Sequence, residues 1–202
     1  MRIQHSTFFA VFLMIATWEG LPAASAEPPG PTVLVLLQND AGVPSNVVGI
    51  AQAEVVRLYG LIGVEVVWIT KMPEVGGRVR VVSLVAWEPA DDSVPTSVLG
   101  VTYVSPKGRG YRAYVFWRRV QRGSEKFTAS LYNVLAAAIA HELGHMLLPG
   151  VSHAKHGLME APWNNVHFRS ASAGLLNFSP ESAALIRRGL IDEVTVAQSV
   201  VR

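Results

Sequence analysis

Four residues of one short segment could together carry out metal-assisted chemistry. The segment from Ala138 to Met159 contains His141, Glu142 and His145 in the spacing HExxH, and a further histidine, His153, follows them. On a helix, residues four apart lie on one face, so His141 and His145 can direct two imidazoles at one metal ion. Glu142 lies beside this pair, where it could hold a water molecule and accept its proton. The spacing therefore predicts a zinc site that activates water for hydrolysis.

A catalytic zinc ion needs a third protein ligand and leaves its fourth position open. The chain can supply this ligand by turning back after the helix. Pro149 disfavours helix at Leu148, and Gly150 permits the positive φ that such a reversal often needs. His153 then lies in the returning loop and is the predicted third ligand, with His156 as its competitor.

The predicted site helix is strongly apolar before the motif, as a central buried helix would be. Ionisable residues on such a helix are costly without a charge partner or a metal ion. The alternative, histidines that simply pack in the core, is therefore disfavoured. The apolar positions are Leu131, Val134, Leu135, Ala138 and Ile139.

The segment resembles the signature of the metzincin metallopeptidases, HExxHxxGxxH followed by a methionine turn, and is most similar to the matrixin branch. Leu148 stands where the family has glycine, and the third histidine, His153, comes two residues late. The loop from His153 to Met159 is two residues shorter, so the distance from His141 to Met159 matches the matrixin pattern. The resemblance implies one catalytic zinc ion bound by His141, His145 and His153, with Met159 as an apolar floor beneath it.

The resemblance also implies an activity, that of a secreted zinc-dependent endopeptidase. Glu142 would activate a zinc-bound water for attack on a peptide carbonyl. The peptide or protein substrate would lie antiparallel along an edge strand near Val98 to Ser105. The loop from Glu160 to Phe168 would wall the specificity pocket, where Trp163 and His167 are candidates either to line the pocket or to pack in the core.

Two other interpretations of these residues stay open. In the first, a peptidase of the gluzincin type takes its third ligand from a downstream glutamate, Glu160 or Glu181. In the second, the chain is a non-catalytic secreted binding module in which zinc is a structural staple. Structural zinc sites are closed and have no use for a general base, so Glu142 and an open fourth position favour catalysis.

The first 26 residues have the features of a secretory signal peptide. Arg2 supplies a positive charge, Phe8 to Ala16 form an apolar core, and Ala24 to Ala26 form an A-x-A cleavage site before Glu27. The apolar run is too short to span a bilayer. We therefore expect a secreted or periplasmic protein with no stable membrane insertion after cleavage.

Residues 27–202 are expected to form a single metallopeptidase-like catalytic domain. Half of the chain is hydrophobic and only 16% is charged, which excludes a disordered protein. The chain has no cysteine, so its fold has no disulfide bonds. We expect a monomer whose partners are peptides or proteins, with no nucleic-acid partner.

The pattern of apolar runs and turn residues predicts an α/β (α+β) fold. We expect a metzincin-like catalytic domain: a twisted, mostly parallel sheet of about five strands with one antiparallel edge strand, a long active-site helix, a methionine turn and a C-terminal helix. The predicted strands are Thr32–Gln38, Val64–Thr70, Arg78–Trp87, Val98–Ser105 and Tyr111–Val120. The predicted helices are Ser45–Gly60, one from Ser124 or Thr128 to Leu148, and one from Ser179 to about Arg188.

Two charged stretches have less specific meanings. Glu88, Asp91 and Asp92 form an acidic loop, which we interpret as a solvated turn, although Ca²⁺ is a possible ligand with no further support. Residues 107–126 hold seven basic side chains against one acid, Glu125. That stretch could steer acidic substrates or polyanions, but it is more typical of a solvated strand edge.

Overall fold

The computed structural model describes residues 30–73, 79–89, 94–104, 110–148 and 153–200. Several predicted features lie outside these ranges: the signal peptide with its cleavage site, Asp91 and Asp92, and the turn at Pro149 and Gly150.

Five strands form a single sheet. They are β1 (Thr32–Asn39), β2 (Glu65–Ile69), β3 (Val79–Val85), β4 (Gly100–Val104) and β5 (Gly110–Phe116), and their spatial order is β2-β1-β3-β5-β4. The pairs β1–β2, β1–β3 and β3–β5 are parallel, whereas β4 pairs with β5 in the antiparallel sense. This confirms the predicted mostly parallel sheet with one antiparallel strand at its edge.

The described residues also form five helices, and they include the long site helix and the C-terminal helix that the sequence predicts. The helices are α1 (Ser45–Gly60), α2 (Trp117–Lys126), α3 (Leu131–Leu147), α4 (Asn165–Ser172) and α5 (Pro180–Val200). Within the described ranges, none of them is long and apolar enough to cross a membrane.

Four features differ from the prediction, at the end of the last strand and in the helices. The last strand ends at Phe116 instead of Val120, because α2 begins at Trp117 as a separate helix. A turn with Thr128 at a positive φ of 50° separates α2 from α3, so the site helix starts only at Leu131. The region predicted to be irregular after the methionine turn contains α4, and α5 continues well past residue 188.

The sheet buries one face against α1 and α3, which pack beside each other. Its central strands place Val82 and Leu84 of β3 next to Ala113 and Val115 of β5, and all four side chains are fully buried. Helix α3 crosses this layer and is buried along its whole length from residue 134 to residue 147. The HExxH motif therefore lies on a core helix, whose position is set by packing on every side.

Candidate active site

Helix α3 presents its two histidines to one point, as the i, i+4 spacing predicts. His141 and His145 are only 8% and 5% exposed, and Glu142 between them is 5% exposed. The Nε2 atoms of the two histidines are 3.0 Å apart. Nitrogen atoms bound to one tetrahedral zinc ion at about 2.0 Å would be about 3.3 Å apart, which is close to the observed separation.

The loop after α3 brings His153 to the same point. The candidate ligand atoms of His141, His145 and His153 all lie within 4.8 Å of one another. The ring of His153 has its centroid 5.4 Å from that of His141 and 4.9 Å from that of His145. Within the described ranges, these three form the one cluster of three or more histidine, aspartate or glutamate side chains that could hold a metal ion.

The competing ligands lie elsewhere. His156 is exposed and is not part of the histidine cluster. Glu160 pairs with His167, with 3.2 Å between its Oε2 and the histidine Nε2. The structure thus brings neither His156 nor the two glutamates of the gluzincin-type alternative into the cluster.

The residues of the methionine turn contact both α3 and the loop that carries His153. The Nδ1–H group of His141 donates to the carbonyl oxygen of Leu158 at 2.7 Å, and Met159 is completely buried. A Cβ atom at Gly144 would lie 2.5 Å from the sulfur of Met159, so only glycine lets the helix rest on this side chain. The Met159 carbonyl accepts a hydrogen bond from the backbone N–H of Ala154 at 2.9 Å, which ties the His153 loop to the turn.

The ring nitrogens of His141 and His145 are arranged to bind a metal ion rather than to hydrogen-bond with each other. Because Nδ1 of His141 carries the proton that Leu158 accepts, its Nε2 presents a lone pair toward His145. Nδ1 of His145 is buried and has no hydrogen-bond partner among the described residues, so no tautomer of His145 satisfies both of its ring nitrogens. An imidazole whose other nitrogen donates to a backbone carbonyl is the usual arrangement of a zinc ligand. The three imidazoles therefore fit Zn²⁺.

Burial keeps the imidazoles of His141 and His145 uncharged. It is the main cause that lowers the pKa of His141 to about 3, and repulsion from His145 and His153 acts in the same direction. Burial followed by repulsion from His153 lowers the pKa of His145 to about 4, and burial also lowers the pKa of His153. At neutral pH the rings of His141 and His145 are therefore neutral, which is the form that binds metal.

The side chain of Glu142 contacts the edge strand β4. The hydroxyl of Thr102 lies 2.7 Å from Glu142 Oε2 and 3.0 Å from the backbone carbonyl oxygen of the same residue. Burial raises the pKa of Glu142 to about 7, and the hydrogen bond from Thr102 opposes that increase. A carboxyl with a pKa near neutrality can both accept and return a proton.

A cleft of about 580 Å³ opens onto the histidines and Glu142. One wall is formed by β4 and the segment before it, and the opposite wall by residues 161–163. Trp163 lies in that second wall, with its ring edge-on to His141 at 5.7 Å. Apart from the site residues, the described lining is apolar except for Ser97 and Thr102.

Of the two pocket candidates of the Glu160–Phe168 loop, only Trp163 lines the cleft. His167 is buried at the start of α4, where its Nδ1 accepts from the backbone N–H of Asn164 at 3.1 Å and completes a capping box. The His167 ring also stacks parallel to Trp163 at 6.4 Å. His167 is thus a packing residue behind the cleft wall.

A buried arginine that the sequence did not single out organises the other wall. Arg119 of α2 donates to the carbonyl oxygens of Pro95 at 2.8 Å and Val98 at 2.9 Å, and its Nε lies 3.2 Å from the carboxylate of Glu88. Glu88 also pairs with Arg122 at 2.8 Å. Interpreting the basic stretch as a solvated strand edge is therefore wrong for Arg119, and Glu88 belongs to an ion-pair network.

Neither a protein-family model nor a curated protein sequence matches the chain. Among solved structures, the crystal structure of archaemetzincin from Methanopyrus kandleri is similar, with a TM-score of 0.52 and 20% sequence identity. The similarity covers 81% of this chain and 98% of that chain. The fold is metzincin-like.

Proposed function

We propose that this protein is a zinc-dependent peptidase. The observation that carries the proposal is the position of three histidine nitrogens, mutually within 4.8 Å, beside a buried glutamate in the wall of an open cleft. The similarity of the fold to that of an archaemetzincin agrees with this assignment.

His141, His145 and His153 would hold the ion through one ring nitrogen each. When bound, zinc supplies a Lewis acid that polarises a carbonyl and lowers the pKa of water. Glu142 accepts the proton of the attacking water and then passes it to the leaving amine. The two transfers need a carboxyl that is close to the ion without binding it, and the contact of Glu142 with β4 supports that arrangement.

The substrate is a peptide segment in extended conformation. β4 lies at the edge of the sheet that the described residues form, so a peptide can pair with its outer side by adding a further strand. The cleft beside it offers mostly apolar side chains in the part of the chain that the structure describes. We expect peptides with uncharged, apolar residues next to the cleaved bond to be preferred.

A structural role for zinc is the alternative from another class. A zinc staple needs no cleft and no base beside its ligands. Glu142 lines the same cleft as the three histidines, and its carboxyl is not part of an ion pair among the described residues. These features favour catalysis over a binding module.

The test is metal content and peptide hydrolysis measured on one preparation of the processed protein. We expect one zinc ion per chain and cleavage of a mixed peptide library that stops with a chelator and returns with zinc. A zinc-loaded protein that cleaves nothing in a broad library would overturn the peptidase proposal and leave the binding module.

We also propose that the protein is exported and that its signal peptide is cut between Ala26 and Glu27. The apolar run and the A-x-A pattern support this. Sequencing the N-terminus of exported material tests it. A product that still carries Met1 in the membrane fraction would contradict it.

A further inference from the structure

The edge strand holds Glu142 through one hydroxyl group. Thr102 Oγ1 lies 2.7 Å from the side-chain Oε2 and 3.0 Å from the backbone carbonyl oxygen of Glu142. The two residues are 40 positions apart in the chain, so only the fold brings them together. A single hydroxyl thus contacts both ends of the same residue and limits how its side chain can rotate.

The contact exists because residue 100 has no side chain. A Cβ atom at Gly100 would lie 2.7 Å from Cγ and 2.8 Å from Oε1 of Glu142, closer than a real Cβ atom approaches. Gly100 and Thr102 face the same side of β4 because side chains alternate along a strand. We call these two residues the carboxylate seat. In this seat Oε2 is engaged by the hydroxyl, while Oε1 lies close to Gly100.

We propose that Thr102 is a positioning residue for Glu142, an inference that rests on the proposed peptidase function. Thr102 holds one carboxyl oxygen, and the other is left for the reacting water. A catalytic group displaced by about 1 Å can lose about 10²-fold in rate. Without the hydroxyl, Glu142 loses its one side-chain hydrogen bond among the described residues and can move off the seat.

The experiment compares zinc-loaded variants of the full processed chain on one fluorogenic peptide. For Thr102→Val, which keeps the shape and removes the hydroxyl, we expect kcat to fall about ten- to a hundredfold while KM and zinc content stay unchanged. Thr102→Ser should restore most of kcat, because the hydroxyl returns. If valine lowers the unfolding temperature too far for assay, Thr102→Ala takes its place.

Thr32→Val is the matched control. Thr32 Oγ1 donates to Glu65 Oε2 at 2.8 Å, so the change removes the same type of threonine–glutamate hydrogen bond away from the cleft. We expect this variant to keep the wild-type kcat. A Thr102→Val enzyme with wild-type kcat, or a loss of kcat that serine does not restore, would overturn the inference.

A second measurement does not depend on hydrolysis. In the metal-free protein, the unfolding temperatures of Thr102→Val, Glu142→Ala and the double variant form a double-mutant cycle. Side chains in contact give shifts that are not additive, and additive shifts would overturn the positioning role.

A zinc-loaded wild type without any peptidase activity refutes the proposed function instead, so the two failures are distinguishable.

Discussion

At the scale of single residues, the proposed function assigns metal binding and proton transfer to different side chains. The three histidines converge on one point, whereas Glu142, although adjacent to His141 in the chain, turns toward Thr102 on the edge strand. A glutamate so placed can serve the water without competing for the ion. That division of labour leads to three predictions.

Glu142→Gln should retain zinc and the fold while losing peptide hydrolysis. Glutamine has the same size and can still accept the hydrogen bond from Thr102, but it cannot accept a proton. Since a general base typically contributes about 10²–10⁴-fold in rate, we expect a loss toward the upper end of that range. Zinc content and turnover should be measured on the same sample. Wild-type turnover in this variant would make Glu142 a structural residue.

His153→Ala should abolish tight zinc binding, whereas His156→Ala should leave it nearly intact. His153 lies in the cluster with His141 and His145, whereas His156 lies outside it. Competition with a chromophoric chelator measures both affinities. If the change at residue 156 is the damaging one, the assignment of the third ligand is wrong.

Burial of Glu142 also predicts how pH affects the metal-free protein. Its pKa rises from 4.5 in the unfolded chain to about 7 in the fold, so the folded state holds this proton more tightly. The contribution of Glu142 to stability is therefore lost as the pH rises from 4.5 to 7, by roughly 3 kcal/mol.

Denaturant unfolding of the chelator-treated wild type and Glu142→Gln, from pH 4.5 to 8, isolates this effect. The histidines are common to both proteins and cancel in the comparison. We expect the glutamine variant to gain stability relative to wild type as the pH rises. A difference that does not change with pH would contradict the raised pKa of Glu142.

At the scale of elements, α2 holds the cleft wall in place although it contributes no residue to the described lining. Its Arg119 binds backbone carbonyls of the segment that leads into β4, and Glu88 balances the charge. Lysine at this position keeps the charge but loses the planar set of donors. The wall should therefore loosen in Arg119→Lys.

We expect Arg119→Lys to raise KM, to retain kcat, and to lower the free energy of unfolding by about 1–3 kcal/mol because buried carbonyls lose their donors. Arg118→Lys on the exposed face of the same helix is the control. Steady-state kinetics and denaturant unfolding measure both effects. Identical results for the two variants would show that the arginine does not shape the cleft.

At the scale of the whole molecule, the sequence predicts the fold class and the position of the histidine pair well, because both follow from local patterns. A buried parallel strand is a continuous apolar run in the sequence. The residues of HExxH lie within one helix, so the helical spacing fixes how His141 and His145 are placed relative to each other. Contacts such as Thr102 with Glu142 join positions 40 residues apart, and no spacing in the sequence indicates them.

Two predicted helix ends differ from the structure next to a glycine that lets another part of the chain pack against the helix. Gly123 lies inside α2, where a Cβ atom would come within 2.6 Å of the Phe168 ring, and Gly189 lies inside α5, where one would come within 2.8 Å of the Leu147 carbonyl oxygen. The predicted helix ends, Ser124 and Arg188, each lie next to one of these glycines. In the structure both glycines lie inside a helix, where they let a neighbouring group pack closely against the backbone. For α4, the capping box of Asn164 with a histidine in place of glutamate was the signal that sequence reasoning missed.

The position of β4 at the rim of the sheet has a consequence for which proteins could be cut. A segment that pairs with this strand has to leave its own helix or sheet first, since its backbone groups cannot serve both partners. Intact folded proteins would therefore be cleaved only through transient local opening, at a rate that follows the population of the open form. For the proposed peptidase, a ligand that stabilises a folded target protein should therefore protect that target from cleavage.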